Sequence, residues 1–353
     1  MKRLPVFFAS VILVLCAAAC GSGGGGSAAS APTVTTAASP SSASALVTWS
    51  KPVRVDKNPP LSSCTGSCGA TLTSISCTSA TFCVAVDNSG YAFTYDGHAW
   101  TSGDSVDAEN YGAEMYVSCA DTNFCVAVDW NGNAITYSNG TWSSPKAVAP
   151  NGGGFFSVAC TNSPTLMCMA GDKEGTLYTL TGGTWKVSST TDTNEITSIS
   201  CESTTFCLAI DIGGGVTVYN GSAWSKPLLY GSNGSGVDAI ACPKANYCLD
   251  TVGGLQAYIS GGWHSVTGAT ISAGGAGQWA LSCAPGTYFC TVASDTGYAT
   301  TWIGKWSTPK MIDTTPMATG GNSTSGISSV SCPVEGLCAA VDGYGNVLYE
   351  TVK

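Results

Sequence analysis

Short apolar runs alternate with turn residues along most of the chain, from about residue 47 to the C-terminus. In the first repeating unit these runs cover residues 73–77, 82–86, 91–95 and 99–106, and Gly, Asn or Asp follows each of the last three runs. Runs of this length with these boundaries are typical of β-strands. The unit therefore predicts a four-stranded antiparallel sheet, whose strands we name A, B, C and D in chain order.

The same phrase recurs seven times: an apolar residue, Ser or Ala, a cysteine, a short polar spacer and a second cysteine that opens an apolar strand. The first cysteines are Cys77, Cys119, Cys160, Cys201, Cys242, Cys283 and Cys332, and the second are Cys83, Cys125, Cys168, Cys207, Cys248, Cys290 and Cys338. Successive first cysteines lie 41 or 42 residues apart, with 49 at the last step. This period is typical of β-propeller blades. Because the two cysteines flank a short hairpin between strands A and B, one disulfide per blade is predicted.

Cysteine usage also predicts export. Of 18 cysteines, Cys16 lies in an N-terminal apolar run and Cys20 follows that run, which leaves 16 for pairing in an oxidising compartment. Cys64 and Cys68 are the remaining two, outside the repeat, and we predict that they pair with each other. Two thiols per unit cannot complete a tetrahedral zinc site, so no metal is predicted.

The N-terminus has the layout of a bacterial lipoprotein signal. Lys2 and Arg3 precede an apolar run, and the Ala-Ala-Ala-Cys sequence that ends at Cys20 resembles a lipobox. We predict a signal peptide over residues 1–19, a lipidated, palmitate-bearing Cys20 and a Gly/Ser/Ala-rich linker over residues 20–46. The mature protein is then extracytoplasmic and anchored to the bacterial cell membrane through its lipid alone. A plain signal peptide with an incidental cysteine is the alternative.

A tryptophan opens strand D in each of the first six units: Trp100, Trp142, Trp185, Trp224, Trp263 and Trp306. The seventh unit ends at Lys353 before a strand D is reached. Near the N-terminus, the Trp-Ser-Lys-Pro sequence from Trp49 repeats the four residues from Trp224. Residues 47–55 are therefore predicted to supply strand D of the seventh blade, which removes an open sheet edge. The prediction is an all-β, seven-bladed β-propeller over residues 47–353.

Strands B and C are joined by Asp-x-x-Gly in five units, beginning at Asp87, Asp129, Asp172, Asp211 and Asp342. An Asp side chain that accepts backbone N–H bonds, followed by a Gly at positive φ, is the chemistry of a tight turn. A calcium loop at Asp129, Asn131 and Asn133 is the alternative, although this segment supplies few oxygen ligands. We assign the repeated Asp to turn formation.

Composition narrows the possible functions. Charged residues make up 10% of the chain and the net charge is −9, which argues against nucleic-acid binding through a basic surface. Arginine occurs only at Arg3 and Arg54, and histidine only at His98 and His264. These counts exclude an arginine cluster and a His-rich metal site. No Gly-rich phosphate loop precedes a helix, so no cofactor is predicted.

The Ser-Cys…Phe-Cys-x-Ala-Val-Asp-x-x-Gly phrase and the strand-D tryptophan resemble the secreted bacterial propellers with BNR or Asp-box, YVTN or tectonin-like repeats. The resemblance covers the whole folded part of the chain. A sialidase-type site implies three arginines that bind the substrate carboxylate, whereas the exported part of this chain contains only Arg54. The resemblance therefore implies the fold without that reaction.

We predict binding without turnover, on the propeller face that carries the D-to-A connections and the B-to-C turns. These connections vary in length and content, and variable loops on a rigid scaffold are where recognition usually resides. Trp130 lies inside a B-to-C turn, and Trp279 begins a strand A at the position aligned with Thr73. Together with Phe156 and Tyr344, these tryptophans are predicted to bind an extracellular glycan or a cell-envelope protein, with the chain a monomer.

Two other functions stay open. A structural or assembly scaffold of the envelope requires a broad, flat contact surface. A glycoside hydrolase requires two carboxylates that meet on one face. Acidic residues in or beside the connections between blades are Glu109, Glu114, Glu195 and Asp238.

Overall fold

A computed structural model describes residues 46–57, 71–107, 114–149, 153–190, 194–229, 239–251, 254–266, 279–314 and 326–353. Every described residue belongs to one compact unit, Ser39–Lys353. The predicted signal peptide, the lipidation of Cys20 and the pairing of Cys64 with Cys68 lie outside the described residues. Within the described part, no helix is long and apolar enough to span a membrane.

The described residues form thirty β-strands. In chain order they are β1 (Val47–Trp49), β2 (Val53–Arg54), β3 (Leu72–Ser79), β4 (Phe82–Asp87), β5 (Tyr91–Tyr95), β6 (Asp104–Ser105), β7 (Met115–Asp121), β8 (Phe124–Asp129), β9 (Asn133–Ser138), β10 (Thr141–Trp142), β11 (Lys146–Ala147), β12 (Phe155–Asn162), β13 (Leu166–Asp172), β14 (Thr176–Thr181), β15 (Thr184–Thr190), β16 (Ile196–Ser203), β17 (Phe206–Asp211), β18 (Gly215–Tyr219), β19 (Leu228–Leu229), β20 (Ile240–Lys244), β21 (Tyr247–Asp250), β22 (Gln256–Ile259), β23 (Gly262–Ser265), β24 (Trp279–Cys283), β25 (Cys290–Ser294), β26 (Tyr298–Thr301), β27 (Lys310–Met311), β28 (Ile327–Val334), β29 (Leu337–Asp342) and β30 (Asn346–Val352).

The strands form seven antiparallel sheets, the blades, and in blades one to six they follow chain order from strand A to strand D. Strands A of blades one to seven are β3, β7, β12, β16, β20, β24 and β28. In blade two, β10 and β11 share the role of strand D, since both pair with β9. The seventh sheet joins β28, β29 and β30 to β1 and β2. This arrangement confirms the predicted seven-bladed β-propeller.

The N-terminal segment closes the ring. In β1, Trp49 stands opposite Glu350 of β30, and in β2, Val53 stands opposite Val347 of the same strand. Strand D of blade seven therefore comes from the N-terminal segment, as the repeated Trp-Ser-Lys-Pro sequence predicts. The beginning and the end of the described fold are held in one sheet, so this strand leaves no open edge on β30.

Seven disulfides staple strand A to strand B, one in each blade. In five blades the bonded cysteines stand directly opposite each other in the strand register. In the first blade their Cα atoms are 4.0 Å apart. The pairs are Cys77–Cys83, Cys119–Cys125, Cys160–Cys168, Cys201–Cys207, Cys242–Cys248, Cys283–Cys290 and Cys332–Cys338. All seven predicted repeat pairs are confirmed. In the loop-entropy model, each closes a short loop and stabilises the fold by about 2 kcal/mol.

The hydrophobic core lies between neighbouring blades, and we call each contact between two blades a seam. At the seam of blades one and two, Val84 and Val86 of β4 pack with Met115 and Val117 of β7. Toward the perimeter, strand-C aromatics pack on strand-D tryptophans with ring centroids 5.3 to 5.6 Å apart, in Tyr95–Trp100, Tyr137–Trp142, Tyr219–Trp224, Tyr258–Trp263 and Trp302–Trp306. The repeated tryptophans are therefore structural.

Serine side chains bridge the seams near the axis of the propeller. Ser76 Oγ accepts the backbone N–H of Cys119 at 2.9 Å, and Ser74 Oγ accepts that of Val117 at 3.2 Å. Equivalent bonds from serines one or three residues before a first cysteine are Ser118 to Cys160, Ser157 to Ile199, Ser198 to Ile240, Ser200 to Cys242, Ser282 to Cys332, Ser329 to Ile75 and Ser331 to Cys77. These bonds explain the serine before the cysteine in the repeated phrase.

Candidate functional site

Strand direction gives the propeller two different faces. Strand A runs from a D-to-A connection to the disulfide hairpin, and strand B returns to the B-to-C turn. We call the end with the connections and B-to-C turns the turn face, and the end with the disulfide hairpins the hairpin face. The four predicted binding residues lie toward the turn face on four different blades: Trp130 on blade two, Phe156 on blade three, Trp279 on blade six and Tyr344 on blade seven.

Trp130 and Phe156 meet across the seam between blades two and three. Their ring centroids are 4.8 Å apart in an edge-to-face arrangement, and Trp130 remains 42% exposed. The ladder of β12 shifts register between Phe155 and Ser157, so Phe156 is a bulge residue. A bulge re-aims a side chain out of the regular alternation. Here the bulged ring packs against Trp130 of the preceding blade.

Gly154 makes room for this packing. A Cβ atom at residue 154 would lie 2.9 Å from Trp130 Cδ1 and 2.5 Å from the Trp130 carbonyl oxygen. Tyr116 extends the aromatic surface, with its ring centroid 6.4 Å from that of Phe156. It stands where blade one has the seam serine Ser74. We call Trp130, Phe156 and Tyr116 the Trp130 cluster.

The carboxylates of Glu114 and Glu195 interact electrostatically with the Trp130 cluster through Tyr116. The hydroxyl of Tyr116 donates a hydrogen bond to Glu114. Burial and the negative charges of Glu114 and Glu195 raise the pKa of Tyr116. Burial and the charge of Glu114 also raise the pKa of Glu195. The Trp130 cluster therefore combines exposed aromatic surface with negative charge.

The structure brings together two of the four acidic residues named for a glycoside hydrolase, Glu114 and Glu195. Glu109 and Asp238 lie outside the described residues. Sequence reasoning missed Tyr116, which joins this acidic pair to the aromatic pair. The available signal was a break in the repeat, since Tyr116 replaces a serine three residues before the first cysteine.

Trp279 differs from Trp130 in its position. Trp279 pairs with Ser294 in blade six, and Leu72 pairs with Asp87 at the same place in blade one. Trp279 is therefore structurally equivalent to Leu72, which precedes Thr73 by one residue. The sequence alignment with Thr73 is wrong because several blades carry a bulge that adds one residue to strand A. Trp279 is half-buried and packs against the apolar cluster shared by blades five and six. It therefore occupies a position that other blades fill with core residues.

Tyr344 lies in the B-to-C turn of blade seven, where its N–H donates to Asp342 Oδ1 at 2.8 Å. The same turn appears in blade one, where Asp87 Oδ1 accepts the N–H groups of Ser89 and Tyr91 at 2.8 and 2.7 Å. The glycine of that turn has a φ of 83°. The Asp-x-x-Gly segments thus form the turns that the sequence predicts.

The Asp129 carboxylate, which the alternative calcium loop would use as a ligand, already accepts hydrogen bonds within its own turn. Oδ1 accepts the N–H groups of Asn131 and Asn133 at 2.9 and 2.7 Å. Oδ2 accepts the side-chain amide of Asn133 at 2.8 Å. Both oxygens therefore stabilise the turn.

Buried acids flank blade seven, away from the Trp130 cluster. Burial, together with the neighbouring Asp56, raises the pKa of Asp87 to about 7. Glu350 takes the strand-C position that is aromatic in most blades, and accepts hydrogen bonds from Thr291 Oγ1 at 2.7 Å and from Thr301 Oγ1. Burial raises the pKa of Glu350. These groups sit at the seams that close the ring.

No protein-family model and no curated protein matches this chain. Among solved structures, the chain is similar to one described as YCF48 bound to D1 peptide, with a TM-score of 0.62, 12% identity, and coverage of 86% of this chain and 97% of that chain. It is also similar to YCF48 from Cyanidioschyzon merolae, with a TM-score of 0.57, 14% identity, and coverage of 85% and 98%. These likenesses show the propeller fold. The resemblance to BNR, YVTN or tectonin-like repeats stays a prediction.

Proposed function

We propose that this protein binds a segment of an extracytoplasmic protein on its turn face, without turnover, and that the Trp130 cluster anchors that segment. The observation that carries the proposal is the exposed Trp130 ring, held edge-on against Phe156 across a seam of a disulfide-stapled scaffold. Large aromatic side chains in fixed positions are common anchors of protein recognition. The YCF48 propeller described as bound to D1 peptide supports a polypeptide ligand for this fold.

The chemistry of the cluster favours a basic side chain in the bound segment. A lysine or arginine over an aromatic face gains a cation–π interaction, and a carboxylate beside the ring adds a charge-assisted hydrogen bond. Glu114 and Glu195 supply that negative charge next to Tyr116. The net charge of −9 adds long-range attraction for a basic partner.

The proposed setting is the outer side of a bacterial cell membrane. The lipobox-like sequence before Cys20 supports a lipid anchor, and the Gly/Ser/Ala-rich linker that follows supports a flexible tether. On this arrangement, a monomeric propeller reaches partners within the envelope.

A glycan is the second candidate ligand. Aromatic rings stack on sugar rings, and carboxylates accept hydrogen bonds from sugar hydroxyls. The juxtaposition of the Trp130 cluster with Glu114 and Glu195 supports this candidate as well.

Variants Trp130→Ala and Phe156→Ala test the site, with Ile212→Ala as the matched control. Ile212 has the same turn position in blade four and is 41% exposed, against 42% for Trp130. A photo-crosslinking residue at position 131, which is exposed beside the intact Trp130 ring, is used in intact cell envelopes and read by mass spectrometry to identify the partner. Binding of that purified partner is then measured for each variant.

We expect both cluster variants to weaken binding at least about tenfold, and the control to leave it unchanged. A glycan array probed with the same proteins tests the second candidate. A Trp130-dependent glycan signal without a protein crosslink would replace the protein ligand by a sugar. If all three variants bind the partner and glycans as well as the parent protein does, the assignment of the Trp130 cluster as the binding site is wrong.

A further inference from the structure

A cavity of about 600 Å³ occupies the hairpin-face part of the central channel. All seven strands A line it, from Ile75–Thr78 in blade one round to Val330–Pro333 in blade seven. None of the residues of the Trp130 cluster is among the described residues that line it. The cavity is therefore a separate site, and its volume falls in the range of about 300 to 1,000 Å³ that is typical of small-ligand pockets.

The wall of this cavity is rich in hydrogen-bond acceptors. In a β-strand, the N–H and C=O groups of one residue point to the same edge. Nine inward N–H groups of strands A already donate to seam serines. The carbonyl oxygens of the same residues therefore point toward the channel, where the sheets of the described residues contain no further strand. Pro243, Pro285 and Pro333 also line the cavity and have no N–H group to offer. The Pro243 carbonyl already accepts the N–H of Gly286 at 2.7 Å, so this carbonyl has one lone pair left for a ligand.

The charge of the residues that line the cavity also favours a hydrogen-bond donor that carries a positive charge. Glu202 is the one charged side chain among the described residues that line the cavity. Rings of backbone carbonyls replace the hydration shell of cations in selective pores. A carbonyl-rich wall with one carboxylate therefore attracts a positively charged donor and repels an anion.

We propose that the cavity binds a primary ammonium group, which has three N–H donors and a single positive charge. Two sources share this chemistry: a free polyamine, and a lysine side chain of a polypeptide that reaches the hairpin face. Both are slender enough to place the ammonium group among the carbonyls. Since the charge is central to recognition, binding should weaken as salt rises.

The test uses the purified chain with isoleucine methyl groups labelled for NMR. Ile75, Ile199 and Ile240 line the cavity, whereas Ile212 lies in a turn on the opposite face. Spermidine probes the polyamine source, and N-acetyl-Gly-Lys-Gly amide probes the polypeptide source. The same peptide with an acetylated lysine is the uncharged control. We expect saturable shifts at the three lining residues with at least one charged probe, and none with the acetylated peptide.

Ala120→Lys places a competing ammonium group on the wall, and Ala120→Met matches its length without the charge. We expect Ala120→Lys to weaken probe binding about tenfold by charge repulsion, and Ala120→Met to change it less than twofold. Glu202→Gln, which leaves the strand unaltered, should weaken binding about threefold and keeps the test valid should Ala120→Lys misfold. Shifts confined to Ile212, equal shifts with the acetylated peptide, or no shifts with either charged probe would overturn the proposal. These NMR measurements do not depend on whether Trp130 binds a partner, since the two sites share no residue. Failure of the proposed function and failure of this proposal can therefore be told apart.

Discussion

The seam between blades one and two and the seam between blades five and six come from the same repeat but are held differently. In the first, Ser74 and Ser76 bond the next strand A. In the second, Ala239 and Ala241 stand in those two positions, so neither bond can form. The disulfides cannot account for a difference, since each blade has one. The comparison shows that the cohesion between blades is set locally by side chains at two positions.

Seam five–six relies on other contacts. On the hairpin face, Lys244 Nζ lies 3.8 Å above the ring of Tyr288, and Tyr247 packs edge-on against that ring at 5.0 Å. On the turn-face side, Trp279 packs into the shared apolar cluster. Regions with fewer hydrogen bonds open first in native proteins. We therefore expect the ring to open at seam five–six before seam one–two.

The largest effect is expected from Trp279→Ala. Removing this ring from the apolar cluster of seam five–six should lower the free energy of unfolding by about 3 kcal/mol. Trp130→Ala is the matched control, because its half-exposed ring should leave stability within about 1 kcal/mol. Urea unfolding measures both. A Trp279→Ala protein with unchanged stability and lost binding would instead support the sequence-based assignment of Trp279 to the ligand site.

The second-largest expected effect is a pH dependence of the free energy of unfolding, caused by Asp87 at the seam between blades seven and one. Burial and Asp56 raise the pKa of Asp87 from 3.8 to about 7. Since the folded-state value exceeds the unfolded one, the stability contributed by neutral Asp87 is fully present below pH 3.8 and is lost as the pH rises through about 7. Between pH 5 and pH 8, the free energy of unfolding should fall by about 2 kcal/mol from this group.

Asp87→Asn isolates this contribution. Asn keeps the side-chain oxygen that accepts the turn N–H groups and cannot ionise. Urea unfolding at pH 5 and pH 8 should show a smaller loss of stability in the variant than in the parent protein. Identical losses in the two proteins would assign the pH dependence to other groups.

Repeated features of this molecule could be predicted from sequence, whereas several departures from the repeat could not. The blades, the disulfides and the closure by Trp49 follow from a spacing that occurs seven times. Glu350 escaped prediction because its hydrogen-bond partners Thr291 and Thr301 come from another blade. Trp279 was misaligned because a bulge changes register without changing the spacing of the cysteines. Tyr116 is visible only as a missing serine, whose meaning depends on the seam bond.

A smaller effect is expected when both bonds of seam one–two are removed. Ser74→Ala with Ser76→Ala leaves the N–H groups of Val117 and Cys119 without their acceptors, which should cost about 1 to 2 kcal/mol. Ser102→Ala, at an exposed position, is the control. Hydrogen exchange of these two amides should quicken in the double variant, while urea unfolding reports the loss in stability. Unchanged exchange would mean that the serines do not protect this seam.

The smallest effect is expected when a serine is added to seam five–six, which lacks both seam serines. Ala241→Ser introduces a hydroxyl one residue before Cys242, where Ser200 and Ser282 bond the next blade in their own seams. The new Oγ should accept the N–H of Cys283 and raise the free energy of unfolding by about 0.5 to 1 kcal/mol. Slower hydrogen exchange at Cys283 locates the gain. If stability falls instead, the close packing of Ala241 excludes the hydroxyl, and the missing serine at seam five–six reflects space rather than a dispensable bond.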